Sequence, residues 1–298
     1  SKGFTEAVTW SFTDSRIDTL FSELKTEIKL SNPISSDLDV LRSSLYSNLM
    51  IGAKKNIHRN FEDLMLFEIG PVFKGSKPGE QLTMINAIKT GKYSRKNWIE
   101  KERSFDVFDI KNDALRTLNE IGLNNLKIVV SNRTKKWYHP GRSGLLSLGS
   151  TNGPELAYFG EIHPSIIKKL DLRTDNVLGF EVFLDNIPES RKKIREVKPQ
   201  FIVSDYQKVV RDFAFVIDEK YKSSEIVNLV QNVDKELIKN VKIFDVYQGE
   251  NIDSGKKSIA FSVTLEPKDK TLGENDIDQM SKKIISTVQE STGATLRS

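Results

Sequence analysis

Hydrophobic and polar positions alternate without a break from Ser258 to Leu265. Ile259, Phe261, Val263 and Leu265 share one face, and Ser258, Ala260, Ser262 and Thr264 share the other. A period of two predicts a strand with one buried face and one open face. The flanking pattern gives it neighbours. Val209 to Ile217 is apolar on both faces apart from Arg211 and Asp212, which suits a central strand. Ser223 or Ser224 is placed to cap a helix with an inward stripe of Ile226, Val227, Val230, Val233 and Leu237. Val241 to Tyr247 reads as a second strand, and Gln248 to Lys256, with Gly249 and Gly255, as a long hairpin. Thr271-Leu272-Gly273-Glu274 has the form of a capping box before a helix that turns Ile277, Met280, Ile284 and Val288 inward. Gly293 ends that helix, and Ala294 to Arg297 can add an edge strand. The order βαββαβ predicts a ferredoxin-like sandwich over 203–298. Its helices cover one face of the sheet and leave the other as a platform.

The first 195 residues give a different pattern. Strands are predicted at 4–12, 64–73, 82–90, 126–130, 144–149, 156–162 and 178–184. Helices are predicted at 14–22, 42–59, 112–121 and 164–169. Many non-consecutive apolar runs between short helices suggest a large antiparallel sheet carrying helices, so the whole is α+β. The stretch Arg95 to Arg103, with Trp98 inside it, reads as a basic exposed loop. A charged, poorly periodic segment from Glu189 to Gln200 reads as the linker between the two domains.

Composition narrows the chemistry. With 38% hydrophobic and 29% charged residues, the chain reads as soluble and globular. No apolar run approaches the roughly 20 residues that span a bilayer, so no membrane partner is expected. The absence of cysteine removes disulfides, thiolate metal sites and cysteine nucleophiles. A cytoplasmic location is expected. The chain opens on Ser1 and runs directly into a strand-like segment, which reads as a piece of a longer protein. Charge is uneven: residues 201–298 hold 14 Lys+Arg against 16 Asp+Glu, whereas the first 200 hold 31 against 25. Charge alone therefore does not mark the C-terminal part as a nucleic-acid binder.

No phosphate-cradling glycine loop and no Gly-x-Ser-x-Gly elbow is present. The three histidines, His58, His139 and His163, lack metal-ligand spacing. No catalytic residue and no metal site is assigned. What remains is the platform. With Phe244 and Val246 turned to the core, Asp245 and Tyr247 join Ser258 and Ala260 on the open face or its rim. Tyr can stack on an unpaired base, a contact of about 1–3 kcal/mol. Asp and Ser can bond a Watson–Crick edge. Lys256 and Lys257, placed in the hairpin beside them, can meet phosphates.

Several blocks carry a resemblance. They are Gly3-Phe4-Thr5-Glu6-Ala7-Val8-Thr9-Trp10-Ser11-Phe12, Leu30-Ser31-Asn32-Pro33-Ile34-Ser35, Leu41-Arg42-Ser43-Ser44-Leu45 and Leu66-Phe67-Glu68-Ile69-Gly70-Pro71-Val72-Phe73. Tyr138-His139-Pro140-Gly141-Arg142-Ser143 and Phe159-Gly160-Glu161-Ile162-His163-Pro164 extend them. In this order the chain resembles the C-terminal half of the bacterial phenylalanyl-tRNA synthetase β-subunit family. Arg211-Asp212, Phe244 to Gly249 and Lys257 to Phe261 are similar to that family's anticodon-binding domain. The resemblance implies a degenerate class II synthetase fold over 1–195 that packs on a catalytic α subunit. It implies an anticodon reader for tRNA-Phe over 203–298, with Tyr247, Asp245 and Ser258 at the first anticodon base. The whole enzyme would be a heterotetramer of two α and two β subunits using ATP and Mg2+, neither of them bound by this part. The sequence departs from a working class II site. Leu66-Phe67-Glu68 keeps the Glu of an Arg-x-Glu motif but has Leu where the phosphate-binding Arg belongs, and Leu cannot clamp a phosphate. A Gly-rich third motif is not found either. The rival readings are a single-chain synthetase of mitochondrial type, disfavoured by those missing arginines, and a sheet that only docks on other protein domains.

Overall fold

A computed structural model describes residues 3–123, 128–188 and 204–297. The chain divides into two compact units, Ser1–Glu196 and Val197–Ser298. The predicted linker, 189–200, lies outside the described residues.

The first unit runs β1 (Thr5–Glu6), β2 (Phe12–Thr13), α1 (Ser15–Asp18), β3 (Val40–Leu41), α2 (Tyr46–Ile57), β4 (Leu64–Phe73) and β5 (Gln81–Thr90). It continues with β6 (Lys92–Ser94), β7 (Arg103–Ser104), α3 (Val107–Leu118), β8 (Ile128–Ser131), β9 (Tyr138–Leu148), β10 (Glu155–Ile162), α4 (Pro164–Lys169) and β11 (Leu178–Phe183). Seven strands form one sheet in the order β1-β4-β5-β11-β10-β9-β8, antiparallel except where β1 lies parallel to β4.

Both faces of this sheet are covered. On one, α2 sets Tyr46, Leu49, Met50 and Ala53 against Ile88, Leu145 and Tyr158. On the other, Ile110, Ala114 and Leu118 of α3 meet Ala87, Phe159, Phe180 and Val182. Tyr46 needs a glycine opposite, since a Cβ at Gly179 would lie 2.6 Å from its hydroxyl. The charged residues on the α2 face are bonded internally, whereas Asn86, between Glu68 and Glu181, has no side-chain hydrogen-bond partner among the described residues. Arg42 donates to Glu68 Oε1 at 2.7 Å and to the Pro71 carbonyl at 3.0 Å, while Thr9 Oγ1 donates to Glu68 Oε2 at 2.8 Å. Gly70 admits that guanidinium, because a Cβ there would lie 2.6 Å from Arg42 Nη2. Glu181 Oε1 accepts from Trp137 Nε1 at 3.0 Å and Tyr138 Oη at 3.2 Å, and Tyr138 Oη lies 2.7 Å from Tyr46 Oη. Burial drives the Glu181 carboxyl up to about 7.

Several expected elements differ: the strand predicted at 144–149 starts six residues earlier, at Tyr138, and the helix predicted at 42–59 starts later, at Tyr46. The strand predicted at 4–12 is broken, because Thr9 leaves the sheet to bond Glu68 through its backbone N–H and hydroxyl. The helix predicted at 14–22 is one turn, Ser15–Asp18. The helix predicted at 112–121 is Val107–Leu118. It starts at a capping box in which Asp106 accepts from Phe108 and Asp109 backbone N–H and Asp109 accepts from that of Asp106.

The second unit contains β12 (Val209–Asp218), α5 (Ser223–Gln231), β13 (Ile238–Tyr247), β14 (Lys256–Leu265), α6 (Glu274–Thr292) and β15 (Thr295–Leu296). The strand order β13-β14-β12-β15 is that of the ferredoxin-like sandwich. Both helices lie on one face, over Phe213, Phe215, Ile259, Phe261, Val263 and Leu265. The helix starts were predicted on the wrong residues. Glu225 accepts from the Lys222 backbone N–H at 3.0 Å, so Lys222 is the α5 cap. Asp276 accepts from the Gly273 backbone N–H at 3.1 Å, so the Thr271 box does not form.

Candidate nucleic-acid interface

The open face of the second sheet is fixed by register. Across β12 and β14 the pairs Val216 with Ser258, Ala214 with Ala260, Asp212 with Ser262 and Val210 with Thr264 share a face. It is the face opposite Phe213 and Phe261, so it carries no helix. Small side chains dominate it, which leaves a shallow floor.

β13 poses a conflict of parity that its sequence alone does not resolve. Strict alternation would put Val241, Ile243, Asp245 and Tyr247 on one face. In the structure Val241 opposes Val263 and Ile243 opposes Phe261, both on the core side. The register then shifts between Ile243 and Asp245. Beyond the shift Asp245 opposes Ala260, Val246 opposes Ile259 and Tyr247 opposes Ser258. A β-bulge at Phe244 thus keeps two apolar residues inside and turns Asp245 and Tyr247 out, which is how bulges re-aim side chains. The bulge leaves Phe244 55% exposed, and Val246, although in register with the core residue Ile259, stays 49% exposed, so neither is buried in the core as expected.

The predicted site residues separate into three groups. Tyr247, Asp245 and Ala260 share the open face, with Tyr247 40% exposed and its hydroxyl 3.4 Å from the Glu250 carbonyl. A side chain at Gly249 would collide with the Tyr247 ring, since its Cβ would lie 2.6 Å from the hydroxyl. Ser258 lies on this face too but is only 3% exposed, because Arg297 Nη1 donates to its hydroxyl at 3.3 Å. Lys256 and Lys257 are not in the hairpin; they are the first two residues of β14. Lys256 falls in register with the open face and pairs with Asp253 at 2.8 Å, which holds its ammonium above the usual lysine range. Lys257 points the other way. It opposes Ile217, and its Nζ donates to the carbonyls of Glu219 at 3.2 Å and Tyr221 at 2.6 Å. It closes the turn into α5 and is not placed to meet a phosphate beside Tyr247.

Arg297 is the residue that sequence reasoning missed. The β15 pairing sets its backbone N–H on the Ala214 carbonyl at 2.8 Å, and from there its guanidinium crosses to Ser258. Its only prior signal was a position at the end of the predicted edge strand. Asp212, which accepts from Ser262 Oγ at 2.6 Å, and Lys242, opposite Ser262, add further polar groups to the face. An aromatic ring, a carboxylate and a guanidinium around a shallow floor suit an unpaired nucleotide: stacking, base-edge bonding and phosphate contact.

Among the described residues the clefts of the first unit offer no comparable set of free groups. A cleft of about 430 Å³ is lined by Glu62, Asp63, Lys92, Glu161 and Arg173 among others, but Asp63 is bonded by Arg95 and Glu161 by Arg142. Among the described residues no group of three or more His, Asp or Glu is placed to hold a metal ion. No helix of the described residues is long and apolar enough to cross a membrane.

Comparison with known proteins agrees with this division. The family model described as phenylalanyl tRNA synthetase beta chain CLM domain matches residues 1–184, and the ferredoxin-fold anticodon binding domain matches residues 204–297. The phenylalanine–tRNA ligase beta subunit of Paramagnetospirillum magneticum is 42% identical over 297 residues, covering 100% of this chain and 37% of that relative. Those of Rhodospirillum rubrum and Rickettsia bellii are each 40% identical over 298 residues, covering 100% of this chain and 37% and 33% of the relatives. The chain therefore spans about a third of the length of the curated relatives it matches. A solved pyrrolysyl tRNA synthetase from Desulfitobacterium hafniense is 16% identical with a TM-score of 0.45, over 62% of this chain and 61% of that one.

Proposed function

The chain belongs to the phenylalanyl-tRNA synthetase β-chain family, and on that premise we propose that it is the non-catalytic, anticodon-reading part of a phenylalanine–tRNA ligase. Its first unit packs on a catalytic α subunit, within an assembly of two α and two β subunits that consumes ATP with Mg2+. Its second unit reads the anticodon of tRNA-Phe. The observation that carries the reading is the bulged β13, which brings Tyr247 and Asp245 out beside Ala260 on an uncovered sheet face, with Arg297 across from them. Tyr247 stacks on an anticodon base, Asp245 accepts from its edge, and Arg297 supplies positive charge that the unit as a whole lacks. Ser258 acts through Arg297, which it holds in place. A non-catalytic role is supported by Glu68, whose carboxylate is taken up by Arg42 and Thr9, and by Leu66 where a phosphate clamp would stand.

The test is Tyr247→Ala in the full-length subunit assembled with its partner. Affinity for tRNA-Phe should fall by about 1–3 kcal/mol, with thermal unfolding unchanged. Unchanged affinity would remove the anticodon assignment.

A further inference from the structure

The segment that reads as a solvated basic loop is an ordered hairpin with an unusual tip. β6 and β7 pair across it. Asn97 Oδ1 accepts from the backbone N–H groups of Ile99 at 2.8 Å and Glu100 at 2.9 Å, which fixes the turn. Arg95 holds Asp63 at the start of β4 through Nε at 2.8 Å. Arg103 lies 3.9 Å over the Tyr93 ring and binds Asp109 at 2.7 and 3.0 Å. Lys92 pairs with Glu102 at 2.7 Å. These bonds rigidify a loop whose apolar side chains face solvent: Trp98 is 92% exposed, Ile99 71% and Tyr93 59%. Lys96 and Lys101 flank Trp98 in sequence, and neither is in any of the ion pairs of the described residues, such as Lys92 with Glu102 or Arg103 with Asp109 beside them.

Packing does not account for Trp98, because almost all of its surface is in water. A rigid turn that presents an exposed indole, with an unpaired lysine on either side of it in sequence, is complementary to a nucleotide: a π face for an unpaired base and cations for the flanking phosphates. Trp and Tyr alone would also suit a protein partner, but the two unpaired lysines beside them would not, since lysine is depleted at the core of protein interfaces. We propose that this hairpin is a second RNA contact, in which Trp98 stacks on an unpaired nucleotide of the bound tRNA while Lys96 and Lys101 meet its phosphates. The contact rests on the reading that the chain handles tRNA, but it does not depend on the anticodon face.

The experiment uses the full-length subunit assembled with its partner. Trp98→Ala should weaken tRNA-Phe binding about tenfold, within the range of a lost base stack. The double variant Lys96→Glu, Lys101→Glu should also reduce the slope of log affinity against log salt by about 2. Single-stranded oligouridine should quench a component of the indole emission that is missing in Trp98→Phe. Unchanged affinity, slope and quenching would overturn the proposal. So would loss of the partner subunit from Trp98→Ala with tRNA affinity per assembled enzyme intact, which would make the hairpin a protein contact. Tyr247→Ala measured alongside separates the two readings. A silent Tyr247→Ala with a weakened Trp98→Ala removes the anticodon assignment and keeps the hairpin; the reverse result does the opposite.

Discussion

Asn86 and Ser262 are both small polar residues in the middle of inner strands, and their surroundings are opposite. Asn86, on β5, is fully buried in a row that runs across the sheet from Glu68 to Glu181. Ser262, on β14, is half-buried on a face that no helix covers and bonds Asp212. The first sheet has a helix on each side, so its polar residues are shut off from water: Arg42, Thr9, Trp137 and Tyr138 bond the flanking Glu68 and Glu181, while both side-chain polar atoms of Asn86 have no hydrogen-bond partner among the described residues. The second has helices on one side only, so its polar residues remain for a ligand. The difference separates a sheet whose polar groups are shut inside the protein from a sheet whose polar groups face water.

The largest test of that difference is Arg42→Ala. It leaves Glu68 buried at 4% side-chain exposure with its cation gone. Breaking one partner of a buried pair costs about 3–5 kcal/mol. Urea unfolding should show that loss in the first unit. A loss below about 1 kcal/mol would mean that the α2 face reaches water after all.

A second test uses acidity. Burial raises the Glu181 carboxyl from 4.5 to about 7. The folded form holds the proton more tightly than the unfolded form, so stability falls as pH rises from 4.5 to 7 and then levels off. The accumulated penalty is about 3 kcal/mol. Glu181→Gln keeps an oxygen for Trp137 and Tyr138 and removes the charge. The variant should match the parent near pH 4 and exceed it by up to about 3 kcal/mol at pH 8. Parallel pH profiles for the two proteins in chemical denaturation would refute the assignment.

The same contrast explains what could be read from the sequence. Ser258 to Leu265 alternates because one face is open; burial follows that alternation from Ile259 to Leu265 and breaks only at Ser258, which Arg297 covers, and the βαββαβ order around the strand was legible as well. Tyr247 and Asp245 were legible as polar residues beside a platform. The bulge that aims them was not, because a one-residue shift in pairing leaves no mark in composition. Lys257 was misplaced because the strand starts two residues early and period two then sends it to the covered side. Arg297 was missed because its position depends on β15 pairing with β12, some 80 residues away in sequence. In the first unit, strands buried on both faces give continuous apolar runs, so existence was legible and length was not. Short range signals were misread there too: Asp106 and Asp109 mark the start of α3 by the same capping logic that was applied, wrongly, to Thr271.

The smallest expected effect sharpens the comparison from the open side. Ser262→Ala deletes the 2.6 Å bond to Asp212 but buries nothing that water cannot reach, since Asp212 is exposed. A freed carboxylate at a surface is hydrated at once, so no desolvated acceptor is left behind, which is the costly part of losing a hydrogen bond. The β14 backbone keeps both its neighbours, β13 and β12, and alanine fits the floor already formed by Ala214 and Ala260. Stability of the second unit should therefore change by no more than about 0.5 kcal/mol in urea unfolding. A loss above about 1.5 kcal/mol would show that something covers this face in the folded protein, and the platform would then be a core.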